Sequence, residues 1–204
     1  MLRQRQFEED AGPLSHPIRT DSYIEMNNFY TTTVYEKGAE VVRMINTIVG
    51  DKTFAAGLKL YLSKFDGKAA TVEDFIGCFE ILGQKSFTQF MNRYSTPGTP
   101  VISIKENKVE KKSLTVSFEQ KISNQVLDTL LEIPLRISWV SSKGMLKFHA
   151  KLKLAKFSEI LNCNESEILF ILKDKYVEMD ISFENECDLP VISLNRHFSA
   201  PVIS

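Results

Sequence analysis

The feature that most constrains the fold of this chain is a change in the spacing of its apolar residues near the segment STPGTP, residues 95–100. Before this segment, apolar residues recur at the intervals of an amphipathic α-helix. After Pro100 they alternate with polar residues, as in a β-strand with one buried face. The sequence therefore predicts an α+β chain: a helical segment at residues 1–97, a short Pro/Gly hinge, and an immunoglobulin-like antiparallel β-sandwich at residues 98–204.

Local signals divide the first segment into separate helices. An apolar stripe ends at Gly50, where a helix C-cap favours a residue free to take positive φ. Asp51 is expected to cap the next helix, Thr71 and Asp74 to form a capping box, and Ser86 to cap a short helix at residues 86–94. The stripe residues are Val34, Val41, Met44, Ile45 and Ile48 in the first helix, Phe54, Leu58, Tyr61, Leu62 and Phe65 in the second, and Phe75, Phe79 and Leu82 in the third.

Short stretches of the second segment have the alternation and composition of β-strands. Turn signals such as SSKG and NCNES separate them, which favours hairpins in an antiparallel sandwich. The predicted strands are residues 113–120, 133–140, 145–154, 168–172, 176–183 and 190–198.

Charge and cysteine content exclude several classes of function. The 25 basic residues balance 26 acidic ones, so the usual electrostatic driving force for nucleic-acid binding is absent. No window approaches the roughly 18 apolar residues of a membrane span, and the N-terminal sequence lacks the apolar run of a secretory signal. Cys78, Cys163 and Cys187 are odd in number and far apart, which indicates reduced thiols and a cytoplasmic location.

Residue types that commonly ligate metals form no recognisable site. His16, His149 and His197 have no second His or Cys at zinc-ligand spacing, so we expect a structural or surface role for each. No metal is predicted to bind this chain. The acidic run at residues 8–10 is interpreted as the solvated end of a helix that stops at the following AGP.

The densest polar and aromatic stretch is NNFYTTTVYEKGAEVVRM, residues 27–44. The threonines at residues 31–33 are expected to cap the helix that follows, and Glu36 suits its first turn because of the helix dipole. Tyr35 lies about 100° around the helix from Val34. Its phenol therefore leaves the apolar stripe and can donate a hydrogen bond into a cleft or to solvent. From these residues alone, a catalytic or binding role and a plain surface role both stay open.

Four blocks of sequence, taken in order, resemble the bacterial aminopeptidase N family. They are EDAGPLSHPIR at 9–19, IEMNNFYTTTVYEKGAEVVRM at 24–44, FDGKAATVEDF at 65–75 and YSTPGTPVI at 94–102. The resemblance runs from Arg3 to the closing RHFSAPV at 196–202 and is weakest in the β region. Members are zinc metallopeptidases of the gluzincin type that remove N-terminal residues from peptides. The resemblance implies that the helical segment ends a thermolysin-like catalytic domain and that a β-sandwich follows.

The resemblance also implies roles for individual residues. Tyr35 matches the family's tyrosine that donates a hydrogen bond to the oxyanion of the tetrahedral intermediate. A phenol suits this task because it stays protonated at working pH. Asn27, Tyr30 and Glu36 match positions that line the pocket for the first side chain of the peptide substrate. His16 matches a loop residue to which no ligand role transfers.

The family's zinc-ligand motif H-E-x-x-H and substrate-amine motif GxMEN do not occur in this sequence. The family's enzymes are much longer, and the resemblance places both motifs upstream of Met1. We therefore expect either a fragment or a chain whose catalytic parts lie on a separate polypeptide. In both cases the chain is expected to bind no zinc and to cleave no peptide by itself, although the parent enzyme uses zinc. Faces that truncation leaves uncovered are expected to cause self-association. The alternative is a non-catalytic binding or scaffold protein, an aminopeptidase remnant kept for its β-sandwich.

Overall fold

The computed structural model describes residues 5–22, 25, 29–110, 112–122, 130–141, 144–184, 191–194 and 202–203. Helices come first and strands follow, which confirms the predicted α+β arrangement. The helical elements are α1 (Phe7–Ala11), a π-helical turn (Thr33–Lys37), α2 (Gly38–Val49), α3 (Asp51–Phe65), α4 (Val72–Gly83) and α5 (Asn92–Ser95). None of the helices in these ranges has the length and apolar character that a membrane span needs.

Two of the predicted helix ends follow the expected chemistry. Gly50 has a φ of 82° and ends α2. The Thr71 side chain accepts a hydrogen bond from the Asp74 amide, and the Asp74 carboxylate accepts one from the Thr71 amide, so the capping box is confirmed. These reciprocal bonds satisfy backbone donors that would otherwise lack partners at the start of α4.

Two other predicted caps are wrong. Asp51 is the first residue of α3 and not its cap, because its carboxylate turns back to accept a hydrogen bond from Asn46 Nδ2 at 3.1 Å. The helix predicted at 86–94 is reduced to Asn92–Ser95. Ser86 closes only a local turn, in which its hydroxyl accepts from the amide two residues further on at 3.3 Å.

The second half of the chain forms two sheets. Its strands are β1 (Pro100–Glu110), β2 (Ser113–Ile122), β3 (Ile133–Ser141), β4 (Gly144–Met145), β5 (Phe148–Lys153), β6 (Glu159–Cys163), β7 (Ile168–Leu172), β8 (Tyr176–Phe183), β9 (Val191–Leu194) and β10 (Val202–Ile203). One sheet has the order β10-β1-β2-β8-β5, and the other has the order β4-β3-β7-β6 with β9 also paired to β3. Among the described pairs, β1 with β10 is parallel and the others are antiparallel.

Strand predictions were incomplete at the charged and irregular stretches. Strands β1, β6 and β10 were not predicted. The second half of β1 is the charged run KENKVE, which becomes a strand by pairing with β2. The strand predicted at 145–154 is divided between β4 and β5. Of the strand predicted at 190–198, residues 191–194 form β9 and the others lie outside the described residues.

Strand β7 is buried on both faces, and this decides how the layers stack. Phe170 is fully buried in the core between the two sheets. Its neighbour Ile171 points the other way and is fully buried in the helical core, with Val41 and Phe79. Leu161 of β6 packs against the same helical core. The sheet that contains β7 is therefore a middle layer, covered by the other sheet on one side and by the helices on the other.

Candidate active site

The π-helical turn begins the long helix that carries the candidate site. The Gly38 amide donates to the carbonyl oxygen of Thr33, five residues earlier, which is the hydrogen bond of a π turn. Thr33 and Lys37 are buried within the turn, whereas Tyr35 is 59% exposed. Tyr35 therefore faces outward. The buried stripe begins with Thr33 and Lys37 and not, as predicted, with Val34, which is only half-buried.

Two side chains satisfy backbone amides where this turn begins. Thr31 Oγ1 accepts from the Val34 amide at 3.2 Å, so the threonine run supplies part of the cap, as predicted. Glu9 Oε1, from α1, accepts from the Thr33 amide at 2.9 Å. The interpretation of residues 8–10 as a solvated helix end is thus wrong for Glu9, and also for Asp10, which is completely buried. Of the α1 carboxylates, Glu9 therefore complements the N-terminal amides of the turn, whereas Asp10 binds the Lys37 side chain.

A shallow groove of about 300 Å³ lies beside the turn and brings three predicted residues together. Tyr30, Tyr35 and Glu36 all line it. The rings of Tyr30 and Tyr35 stack with their centroids 6.3 Å apart and an interplanar angle of 18°. The other lining residues are Arg5, Thr31 and Thr32. Asn27, the fourth predicted residue, lies outside the described residues.

The groove combines aromatic surface with both signs of charge. Tyr30 and Tyr35 are 57% and 59% exposed, so each offers a ring face and a phenol that can donate a hydrogen bond. Arg5 and Glu36 contribute a guanidinium and a carboxylate to the same lining. Such a groove can pack a side chain against the rings while polar groups fix the orientation of a ligand.

A buried ion pair between Lys37 and Asp10 attaches the π-helical turn to α1. Lys37 Nζ donates to Asp10 Oδ2 at 3.0 Å and to the Gly98 carbonyl at 2.9 Å. Asp10 also accepts hydrogen bonds from Gln6 Nε2 at 2.6 Å, the Gly98 amide at 3.2 Å and Thr99 Oγ1 at 2.9 Å. Burial lowers the pKa of the Lys37 ammonium, and the Asp10 carboxylate opposes that effect. Gly98 and Thr99, within the segment predicted as a hinge, are therefore fixed to α1 and to the π-helical turn.

Sequence reasoning missed Asp10 and Lys37, although one signal was available. Lys37 is four residues after Thr33 and four before Val41, so it falls at a core position of the apolar stripe. A charged residue at such a position predicts a buried partner of opposite charge. Asp10 is 27 positions away in sequence, and spacing alone could not select it.

The part of the chain that the structure describes does not fit a zinc site, because no group of three or more His, Cys, Asp or Glu residues is gathered there. His16 Nδ1 lies 2.8 Å from the Pro17 carbonyl, and its Nε2 lies 3.5 Å from Glu9 Oε1, which is a structural setting. His149 is exposed on β5. His197 lies outside the described residues.

Comparisons with known proteins agree with this architecture. Residues 2–94 match the family model of the peptidase family M1 domain, and residues 98–204 match that of a domain of unknown function (DUF3458) with an Ig-like fold. Aminopeptidase N of Haemophilus influenzae is 40% identical over 98% of this chain, and that of Escherichia coli is 37% identical over 98%. The chain spans 22% of the length of each.

A solved structure shares the fold. Aminopeptidase A of Legionella pneumophila, in complex with aspartic acid, superposes with a TM-score of 0.70 at 23% identity. The match covers 91% of this chain and 19% of that one. Taken with the sequence matches, the chain belongs to the aminopeptidase N family of M1 peptidases, as the sequence blocks predicted.

Proposed function

We propose that this chain is part of a zinc-dependent aminopeptidase, to which it contributes an oxyanion-stabilising tyrosine and part of the pocket for the first residue of a peptide. The observation that carries the proposal is the gathering of Tyr35, Tyr30 and Glu36 in one groove at the start of a helix. The zinc ligands and the general base are proposed to lie in the rest of the enzyme.

The chemistry proposed for Tyr35 is hydrogen-bond donation to a developing negative charge. When water attacks the first peptide carbonyl, charge accumulates on the carbonyl oxygen. A phenol positioned beside that oxygen stabilises the transition state more than the ground state. Removing a donor of this kind typically costs about 3–4 kcal/mol of transition-state stabilisation. Tyr30 and Glu36 are proposed to line the pocket for the substrate's first side chain, and Asn27 is proposed to complete that pocket.

The substrate class, the location, self-association and the domain boundary of this chain are proposed as well. Peptides are the proposed substrates. A cytoplasmic location is supported by the free thiols of Cys78 and Cys163. Self-association of the isolated chain is supported by Leu62 and Ile81, each 63% exposed on α3 and α4. A domain boundary between residues 97 and 98 is supported by the start of β1 at Pro100.

A chimera tests the role of Tyr35. In the chimera, this chain replaces the aligned segment of the Haemophilus influenzae aminopeptidase N. We expect the chimera to hydrolyse an alanyl arylamide. We expect Tyr35→Phe in this chimera to lower kcat about 100- to 1,000-fold with little change in KM, because the hydrogen bond acts in the transition state. Tyr176→Phe is the matched control, since Tyr176 is an exposed tyrosine of β8 that does not line the groove.

A Tyr35→Phe chimera with an undiminished kcat would refute the proposed role. An unsubstituted chimera that is folded and loaded with zinc, yet cleaves nothing, would favour the alternative of a non-catalytic remnant. Should the long graft fail to fold, a graft of residues 29–50 carries the same substitution into the relative's own framework.

A further inference from the structure

We propose that Asp10 and Lys37 are positioning residues for Tyr35, and that their buried ion pair fixes the π-helical turn against α1 and the segment that enters β1. This inference rests on the proposed function of Tyr35. Asp10 and Lys37 lie outside the groove, and their proposed role is to determine the position of the Tyr35 phenol.

Exposure of the Tyr35 side chain makes its position depend on the backbone. The ring is 59% exposed, and its stacking partner Tyr30 is 57% exposed. Neither ring is enclosed by a core that could fix it. The location of the phenol therefore follows from the placement of the turn, whose other outward residue in the groove is Glu36.

Polar contacts fix that turn at both of its ends, partly buried at the first residue and buried at the last. At its first residue, the Thr33 amide donates to Glu9 of α1. At its last residue, Lys37 Nζ donates to Asp10 of α1 and to the Gly98 carbonyl. Tyr35 lies midway between these two attachment points. A shift of α1 or of the segment before β1 would therefore move the backbone that carries the phenol.

The chemical nature of the attachment supports a positioning role. A buried ion pair is a weak source of stability, because apolar residues of similar volume often do as well. The pair instead fixes geometry, because its hydrogen bonds are directional. Lys37 Nζ donates to two specific acceptors, and each Asp10 oxygen accepts from specific donors. Asp10 Oδ1 and Oδ2 both accept hydrogen bonds from the Gly98–Thr99 segment. The same carboxylate therefore connects the turn to the segment that leads into β1.

The test uses the chimera with two substitutions made together, Asp10→Asn and Lys37→Met. The asparagine oxygen can still accept from the Gly98 amide, and its Nδ2 group can donate to the Thr99 hydroxyl. Methionine keeps the apolar stem of the lysine, so no unpaired charge remains buried. We expect kcat to fall about 10- to 100-fold while KM stays nearly constant, since a displacement of about 1 Å at a reacting group can cost this much.

A background of Tyr35→Phe separates positioning from general structure. If the pair acts by placing the phenol, the double substitution should lower kcat by less than about twofold once the phenol is gone. The matched control is Lys147→Met with Glu165→Gln, which removes an exposed ion pair of the sandwich and should leave kcat unchanged in both backgrounds. Lys37→Arg, which keeps the charge but changes the geometry, serves if the double variant does not fold.

Two results would overturn the inference alone: an unchanged kcat in the double variant, or a loss that multiplies fully with that of Tyr35→Phe. Non-additive losses with an unaffected control would support it. A Tyr35→Phe chimera with undiminished kcat would instead overturn the proposed function, and this inference with it.

Discussion

Asp10 and Glu132 are both buried carboxylates where the helices meet the strands, but their surroundings differ. Asp10 accepts hydrogen bonds from Gln6, Lys37, Gly98 and Thr99. The Oε1 atom of Glu132 has Lys173 Nζ at 3.7 Å, beyond hydrogen-bonding distance. One acid is fully partnered, whereas the other is buried with its charge only partly compensated.

The cations at the two sites differ in the same way. Lys37 donates to a carboxylate and to a carbonyl. Arg93 donates from Nε to the Glu132 backbone carbonyl at 3.2 Å, while its Nη2 is buried without a hydrogen-bond partner in the described structure. Burial lowers the pKa of Arg93 to about 10 and raises the pKa of Glu132. The two sites therefore differ in how completely hydrogen bonds offset the cost of burying a charge.

The largest expected effect comes from Asp10→Ala. This substitution leaves the Lys37 ammonium buried without its carboxylate, so we expect the free energy of unfolding to fall by about 3–5 kcal/mol. Urea unfolding of the 204-residue chain, followed by circular dichroism, measures it. Glu8→Ala, an exposed neighbour on α1, is the control and should stay within about 0.5 kcal/mol. A loss below about 1 kcal/mol for Asp10→Ala would contradict the importance of this pair.

An intermediate effect is expected for Thr99→Val, which removes one donor to the Asp10 carboxylate and keeps the side-chain shape. A hydrogen bond to a buried charged group contributes about 1.5–3 kcal/mol, so unfolding should become easier by that amount. Thr115→Val is the matched control, because Thr115 donates to Asp180 at 2.8 Å on the exposed face of the sheet. Equal losses at the two threonines would show that burial does not distinguish them.

The smallest effect is expected for Glu132→Gln, which removes a charge that its surroundings compensate poorly. We expect a change within about 1 kcal/mol at neutral pH, in either direction. A cost as large as that of Asp10→Ala would show that the two acids are equivalent after all.

This substitution should also change the dependence of stability on pH. Because the pKa of Glu132 is raised above 4.5 in the folded chain, the unfolded chain loses this proton first as pH rises, and stability falls. Glu132→Gln should remove that component when unfolding is measured from about pH 4 to about pH 8.

Sequence patterns predicted those parts of the fold that depend on neighbours along the chain. The period change separated helices from strands, and the capping box of Thr71 and Asp74 involves positions three apart. Pairings across the chain were not predictable in this way. Thr99 donates a hydrogen bond to Asp10, which is 89 positions away in sequence. The charged run of β1 forms a strand because it pairs with β2.

The candidate site was predicted in part for the same reason. The outward direction of Tyr35 was predicted from its angle to Val34, although the buried side of the turn is formed by Thr33 and Lys37. The structure places Tyr35 in one groove with Tyr30 and Glu36. The roles of these residues came from resemblance and stay predictions. Arg5 was missed because nothing in the spacing joins it to the other residues of the groove, which lie 25 to 31 positions further along the chain.

The double-sided burial of β7 has a consequence for how this architecture can be rearranged. Ile171 is fully buried in the helical core although it belongs to a strand of the sandwich. Cutting the chain before the sandwich would turn that apolar face of the sheet toward water, together with Leu161. The sandwich therefore cannot be transferred to another protein without the helices that cover it. If the sandwich is moved to another enzyme, by recombination or by design, a matching set of helices must accompany it. Otherwise the apolar residues on that face must be replaced by polar ones.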